Sequence, residues 1–234
     1  MGAIGDRLLA VRGSIPEGTE LVAVSKFHPV EELMEAYQAG QRLFGENRPQ
    51  EMAAKAVAMP KDIQWHFIGH LQSNKIKQVV PYATLIHSVD SEKLYFQIKD
   101  YCVRNSCSTR VLLQMHIASE DTKQGFSAEE LLAFVSTLMG REKLDEPSPV
   151  EICGLMGMAS FTDDVSVVDR EFSQIEHVFK EIKAQWGEGM PAFRELSIGM
   201  SGDYMTALRH GATLVRVGTA IFGERDYSKP FKIW

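Results

Sequence analysis

Eight short apolar or β-branched runs alternate with helix-like stretches from Leu21 to Gly223, and this alternation restricts the possible folds more than any other feature of the chain. The runs begin near Leu21 (LVAVSK), Gln41 (QRLFGE), Gln64 (QWHFIG), Thr84 (TLIHSV), Arg110 (RVLLQMHI), Val150 (VEICGLMGMA), Glu195 (ELSIGM) and Leu214 (LVRVGTAIFG). Continuous apolar runs flanked by helices read as parallel strands buried on both faces. Between the sixth and seventh runs, Val165, Val168, Phe172, Ile175, Phe179, Ile182 and Trp186 recur at three- and four-residue spacing, as one face of a helix requires. Helices are also expected over residues 30–39, 49–58, 74–80, 91–105, 128–139 and 203–210, with an extra one over 4–12 before the first strand. Crossover connections keep one hand and eight strands enclose an interior filled by side chains. The predicted fold is therefore α/β, a single (β/α)8 TIM-type barrel with an extra N-terminal helix.

Length and charge narrow the function classes. At 234 residues and 44% hydrophobic content the chain can bury a full core, and one domain over residues 1–234 is expected. Eleven residues follow Gly223, which leaves no room for a second domain, and 142–149 (EKLDEPSP) is the one stretch that reads as a long polar loop. A net charge of -6 provides no basic excess, so neither nucleic acid nor a membrane is an expected partner. Cys102, Cys107 and Cys153 are an odd number in a chain with a sizeable core, which fits free thiols in a reducing compartment. Asp6, Arg7 and Arg12 interrupt the N-terminal apolar stretch, no run approaches a membrane span, and Asp6 breaks the myristoylation pattern. A cytoplasmic protein is expected.

In barrels of this kind the working residues sit at the C-terminal ends of strands. Lys26 follows the first run there; a lysine ammonium held near a barrel interior is desolvated, which favours the neutral amine that attacks aldehydes. Alternatively it leans into water. The SIGMSGD stretch places Ser201 in a Ser-Gly-Asp turn, and VRVGTAIFG places Gly218 and Thr219 just beyond the eighth run. Each turn alone is ordinary turn chemistry, but together they occupy the usual phosphate site of the barrel. Arg216 lies inside an apolar run and so needs an acceptor, either a structural carboxylate or the ring nitrogen of a cofactor. Asn47, in GENRPQE, stands where its amide could bond a ring hydroxyl or cap the next helix. His66 has a core or rim role, Met156 and Met158 line the barrel, and no spacing of ligands argues for a metal.

The motifs AVSK, FGENRPQE, WHFIGHLQSNK, GLMGMA, LSIGMSGD and VRVGTAIFG, in this order over nearly the whole chain, resemble the pyridoxal phosphate homeostasis protein family. The resemblance implies a single barrel domain similar to that of alanine racemase, with pyridoxal 5'-phosphate (PLP) as cofactor and Lys26 bonded to it as a Schiff base. It further implies that Ser201, Gly218 and Thr219 bind phosphate, Arg216 faces the pyridine nitrogen, and Asn47 lies beside the ring.

On that resemblance the chain acts in intracellular vitamin B6 homeostasis, holding PLP on Lys26 without robust turnover and passing it to PLP-dependent apoenzymes. Arg216, a donor only, leaves the ring a poor electron sink, and the racemase domain that carries a second base is absent, which also favours a monomer. The alternatives are a PLP-dependent amino-acid racemase or lyase, and a barrel without the cofactor in which Lys26 serves an aldolase or the site an isomerase.

Overall fold

The computed structural model describes residues 2–119, 124–141 and 148–224. Its eight strands are β1 (Glu20–Val24), β2 (Leu43–Glu46), β3 (Gln64–Phe67), β4 (Ala83–Val89), β5 (Thr109–Gln114), β6 (Val150–Met156), β7 (Glu195–Ser197) and β8 (Leu214–Val217). Each pairs with the next and β8 closes on β1, in parallel register from Glu20 opposite Leu214 to Ala23 opposite Val217. All eight predicted strands are present, and the closed parallel barrel is the predicted fold.

The helices are α1 (Ala3–Gly13), α2 (Val30–Gln38), α3 (Pro49–Ala58), α4 (Ile76–Val79) after a 3-10 turn at Ser73–Lys75, α5 (Glu92–Arg104), α6 (Ala128–Arg141), α7 (Val165–Trp186), α8 (Tyr204–Arg209) and α9 (Thr219–Phe222). The predicted face of α7 is largely the buried one: Val168, Phe172, Ile175, Phe179 and Ile182 pack on the barrel, while Asp164 caps the helix by accepting from the Ser166 amide. Val165 departs from the expected stripe and is 59% exposed, because it lies in the first turn where the chain is still leaving the barrel mouth. The short helix α9 was not foreseen. Most of the expected loop at 142–149 lies outside the described residues.

Side chains alternate along a strand, so two layers of contacts form. Outward residues such as Ala23, Phe44 and Ile86 join the helices in the main core, whereas Val22, Leu85, Leu112, Cys153, Met156 and Leu214 form a separate cluster inside the barrel. Met156 thus lines the barrel as predicted, with Met158 packed partly against the same cluster. Two residues further along their strands, on the same inner face, Leu85 gives way to His87 and Leu214 to Arg216. The interior changes from apolar to polar toward the C-terminal mouth.

No described helix is long and apolar enough to cross a membrane, and no described cluster of His, Cys, Asp or Glu could hold a metal ion. The three cysteines are free, and burial pushes the Cys102 thiol up to about 12, as befits a packing residue.

Candidate functional site at the barrel mouth

The six residues singled out from the sequence fall on β1, β2, β7 and β8 or just beyond their C-terminal ends. Ser201 and Gly218, from different loops, are brought into contact: the Gly218 amide donates to Ser201 Oγ at 3.2 Å. Gly218 sits tightly against the end of β1, since a Cβ there would lie 3.1 Å from the Val24 carbonyl oxygen. Thr219 is exposed at the start of α9. Upstream, Gly199 has φ +90 and a Cβ would meet Ala207 at 2.6 Å, so the turn leading to Ser201 requires glycine there.

Arg216 is 4% exposed, and the protein groups that hold it are not the structural carboxylate that was one of its two expected partners. Nη1 donates to the Ser197 carbonyl and hydroxyl at 2.7 and 2.5 Å, and Nη2 donates to the Gly157 carbonyl at 2.9 Å. Neutral oxygens replace the structural carboxylate, and burial lowers the guanidinium to about 10, which keeps it cationic at neutral pH. Among the described residues no bond engages Nε, so one donor of the guanidinium remains unused.

Behind Arg216 runs a chain that sequence reasoning missed. His87 Nδ1 lies 2.9 Å from Ser197 Oγ, and His87 Nε2 lies 2.9 Å from His66 Nδ1. Burial first, then the charge of Arg110, brings His66 down to about 3; burial, His66 and Arg216 hold His87 well below its ordinary value. Both rings are therefore neutral. Ser197 Oγ accepts from Arg216 and must donate onward, and His87 Nδ1 is the available acceptor; His87 and His66 are then both Nε2–H tautomers, assigned from the network. Of the core and rim roles expected for His66, the structure shows the core one. The signal for His87 was a histidine inside an apolar strand, the same signal that marked Arg216.

Asn47 follows β2 immediately, and its Oδ1 is buried with no hydrogen-bond partner among the described residues. It is not a cap: Arg48 occupies the N-cap of α3 and no side chain caps that helix. The backbone of Gly69 passes so close that a Cβ there would lie 2.2 Å from the Asn47 carbonyl oxygen. A buried polar atom left without a partner is costly, so an unpartnered acceptor just past a strand end marks a candidate place for a ligand.

Lys26 lies two residues past β1 and is exposed, the water-facing one of its two expected settings. Its neighbours are fixed. Ser25 is fully buried and donates to Glu46 Oε1 at 2.6 Å, while the Phe27 amide donates to Glu51 Oε2 at 3.0 Å. The mouth thus offers a free amine, an unpartnered amide oxygen, a buried cation and, on the β7 and β8 loops, a paired hydroxyl and glycine. This set suits a flat polar ring carrying an anion and a group reactive toward amines.

Fold and mouth together define a cofactor-type (β/α)8 barrel of the alanine racemase class, and the family model described as alanine racemase, N-terminal domain, matches residues 1–226. Within that class the chain belongs to the pyridoxal phosphate homeostasis protein family. It is 37% identical over 221 residues to the pyridoxal phosphate homeostasis protein of Vibrio alginolyticus, covering 92% of this chain and 91% of that one. To the human protein of the same name it is 38% identical over 221 residues, covering 89% and 78% of the two chains. Among solved structures it is similar to PipY of Synechococcus elongatus PCC7942 with PLP bound, at 36% identity and a TM-score of 0.81, over 94% of this chain and all of that one. Alanine racemase from Bartonella henselae shares the fold at 18% identity and a TM-score of 0.70, over 98% of this chain and 62% of that one.

Proposed function

We propose that this protein binds PLP reversibly through Lys26 at the barrel mouth and serves intracellular vitamin B6 homeostasis as a holder of the cofactor, without robust turnover of its own. The observation that carries this reading is the buried, unpartnered Oδ1 of Asn47 just past the end of β2, in a barrel that presents the exposed Lys26 just past the end of the neighbouring β1. When bound, the cofactor supplies an aldehyde that condenses with a primary amine, releases water and is regenerated by hydrolysis.

The residues divide the work of binding. Lys26 supplies the amine. Ser201, Gly218 and Thr219 hold phosphate, with the Ser201–Gly218 bond fixing the two loops relative to each other. Arg216 would present a donor to the ring nitrogen, and the Asn47 amide would bond the ring hydroxyl. The names of the curated relatives and the PLP held by PipY support PLP as the ligand.

A binding role follows from the chemistry of Arg216. A guanidinium that stays charged at neutral pH cannot give a proton fully to a pyridine nitrogen, so the ring is held as a weak electron sink and carbanion chemistry is slow. The residues described need no further substrate pocket. We extend the proposal to a single-domain cytoplasmic monomer over residues 1–234 that passes PLP to apoenzymes.

The test is equilibrium binding of PLP to the wild type and to Lys26→Ala, followed by incubation of the loaded protein with a panel of amino acids and chiral product analysis. Binding that depends on Lys26 without enzyme-like turnover supports the proposal. Turnover at rates ordinary for an enzyme, lost in Lys26→Ala, contradicts it.

A further inference from the structure

Three buried charged residues with no place in the ligand site bond the two neighbours of Lys26. Glu46, Glu51 and Lys55 are 0%, 2% and 1% exposed. Lys55 Nζ lies 2.7 Å from Glu46 Oε1 and 3.6 Å from Glu51 Oε2, and it donates to the Ser25 carbonyl at 2.9 Å. The residue before Lys26 is thus held at its carbonyl by Lys55 and at its hydroxyl by Glu46. The residue after it is held at its amide by Glu51.

Phe27 has φ 67, a left-handed conformation that a side chain with a Cβ adopts only at a cost. The Glu51 bond and the Arg48 guanidinium, 4.4 Å over the Phe27 ring, hold it there. Buried ion groups are a poor way to gain stability, because desolvation offsets most of their attraction and apolar residues would serve as well. What they do provide is a fixed direction for the groups they bond.

We propose that Glu46, Glu51 and Lys55 are positioning residues that clamp the turn at residues 25–27, so that the Lys26 amine faces the mouth in one orientation before any ligand arrives. This rests on the reading of Lys26 as the attachment point. A prearranged amine meets the aldehyde without first ordering its own backbone, so the clamp acts on the rate of attachment. Glu51 and Lys55 are the i and i+4 residues of one turn of α3, which ties Lys26 to the packing of that helix.

The test uses full-length protein and two readouts. Amide exchange at Phe27 is followed by two-dimensional NMR without cofactor, and the rate of borohydride-trapped PLP at Lys26 is followed by peptide mass mapping. Glu51→Ala is expected to speed Phe27 exchange at least tenfold and slow labelling of Lys26 at least tenfold, with Glu51→Gln, which keeps an acceptor oxygen, within about threefold of wild type on both. Should Glu51→Ala fail to fold, Glu51→Asp carries the test, since it keeps the charge beside Lys55 and withdraws the oxygen from Phe27. Unchanged Phe27 exchange in a folded variant overturns the clamp, and faster exchange with unchanged labelling overturns its positioning role. Wild-type protein that takes no label at Lys26 instead defeats the PLP reading, while the exchange measurement still decides the clamp.

Discussion

The Gly218 amide donates to the Ser201 hydroxyl at 3.2 Å, joining the loop after β7 to the loop after β8 at the point where barrels of this type hold phosphate. Ser201→Ala removes that acceptor from a half-exposed position, so its cost to folding is small, about 1 kcal/mol or less. Its cost to binding is larger: PLP affinity is expected to fall about tenfold, since about 1.4 kcal/mol is one decade. Fluorescence titration and thermal unfolding of the same preparation separate the two effects.

Asn47 gives the cleanest separation of stability from binding. Because its Oδ1 has no partner within the described protein, Asn47→Ala removes an unsatisfied buried atom and is expected to leave urea stability within about 1 kcal/mol of wild type. PLP affinity is expected to fall. A large loss of stability with unchanged affinity would make Asn47 a structural residue. Gly69→Ala should behave in the opposite manner, since its Cβ would strike the Asn47 backbone and the strand end would have to move.

The paired histidines make stability depend on pH. His66 has a folded value of about 3 against an ordinary 6.5, and His87 is also held well below 6.5, so between those limits the unfolded chain binds more protons than the folded one. Stability therefore falls as pH drops below 6.5, by about 1.4 kcal/mol per unit for each histidine once the unfolded form is protonated. Urea unfolding from pH 7 to 4.5 measures the slope. His66→Gln, whose amide oxygen can still accept from His87 Nε2–H, is expected to make the slope shallower by about that amount. A slope unchanged by the substitution would contradict the neutral buried pair.

Arg216 holds the carbonyls of Gly157 and Ser197 and the Ser197 hydroxyl, so Arg216→Met takes the donor from the Gly157 carbonyl and the Ser197 hydroxyl, while the Ser197 carbonyl keeps the Gly157 amide. A loss of about 3 kcal/mol or more is expected, with PLP affinity reduced in whatever protein remains folded. Nitrogen-15 NMR of the histidines adds a second reading. Loss of the guanidinium should change the His87 Nδ1 shift, because Ser197 links the two groups.

The architecture was legible because it is written in local pattern: continuous apolar runs mark strands buried on both faces, and α3 (Pro49–Ala58) and α7 (Val165–Trp186) begin and end where proline, capping residues and periodicity place them. The four residues of α9 carry no period and merged with the preceding strand. Contacts between strands were not legible. His87 and His66 meet Arg216 through Ser197 only because of barrel register, which no single run encodes. Glu51 and Lys55 resemble an ordinary exposed i, i+4 pair on a helix surface, yet both are buried beneath the Lys26 turn. Lys26 itself was found by position, while the choice between an interior and a water-facing setting needed the structure, which exposes it.

The most direct measurement is the visible absorption spectrum of the protein mixed with PLP, before and after borohydride, with mass mapping of the reduced peptides. A yellow band that borohydride removes is expected, leaving one equivalent of label on the peptide that carries Lys26. No band, or label scattered over surface lysines, would contradict binding through Lys26.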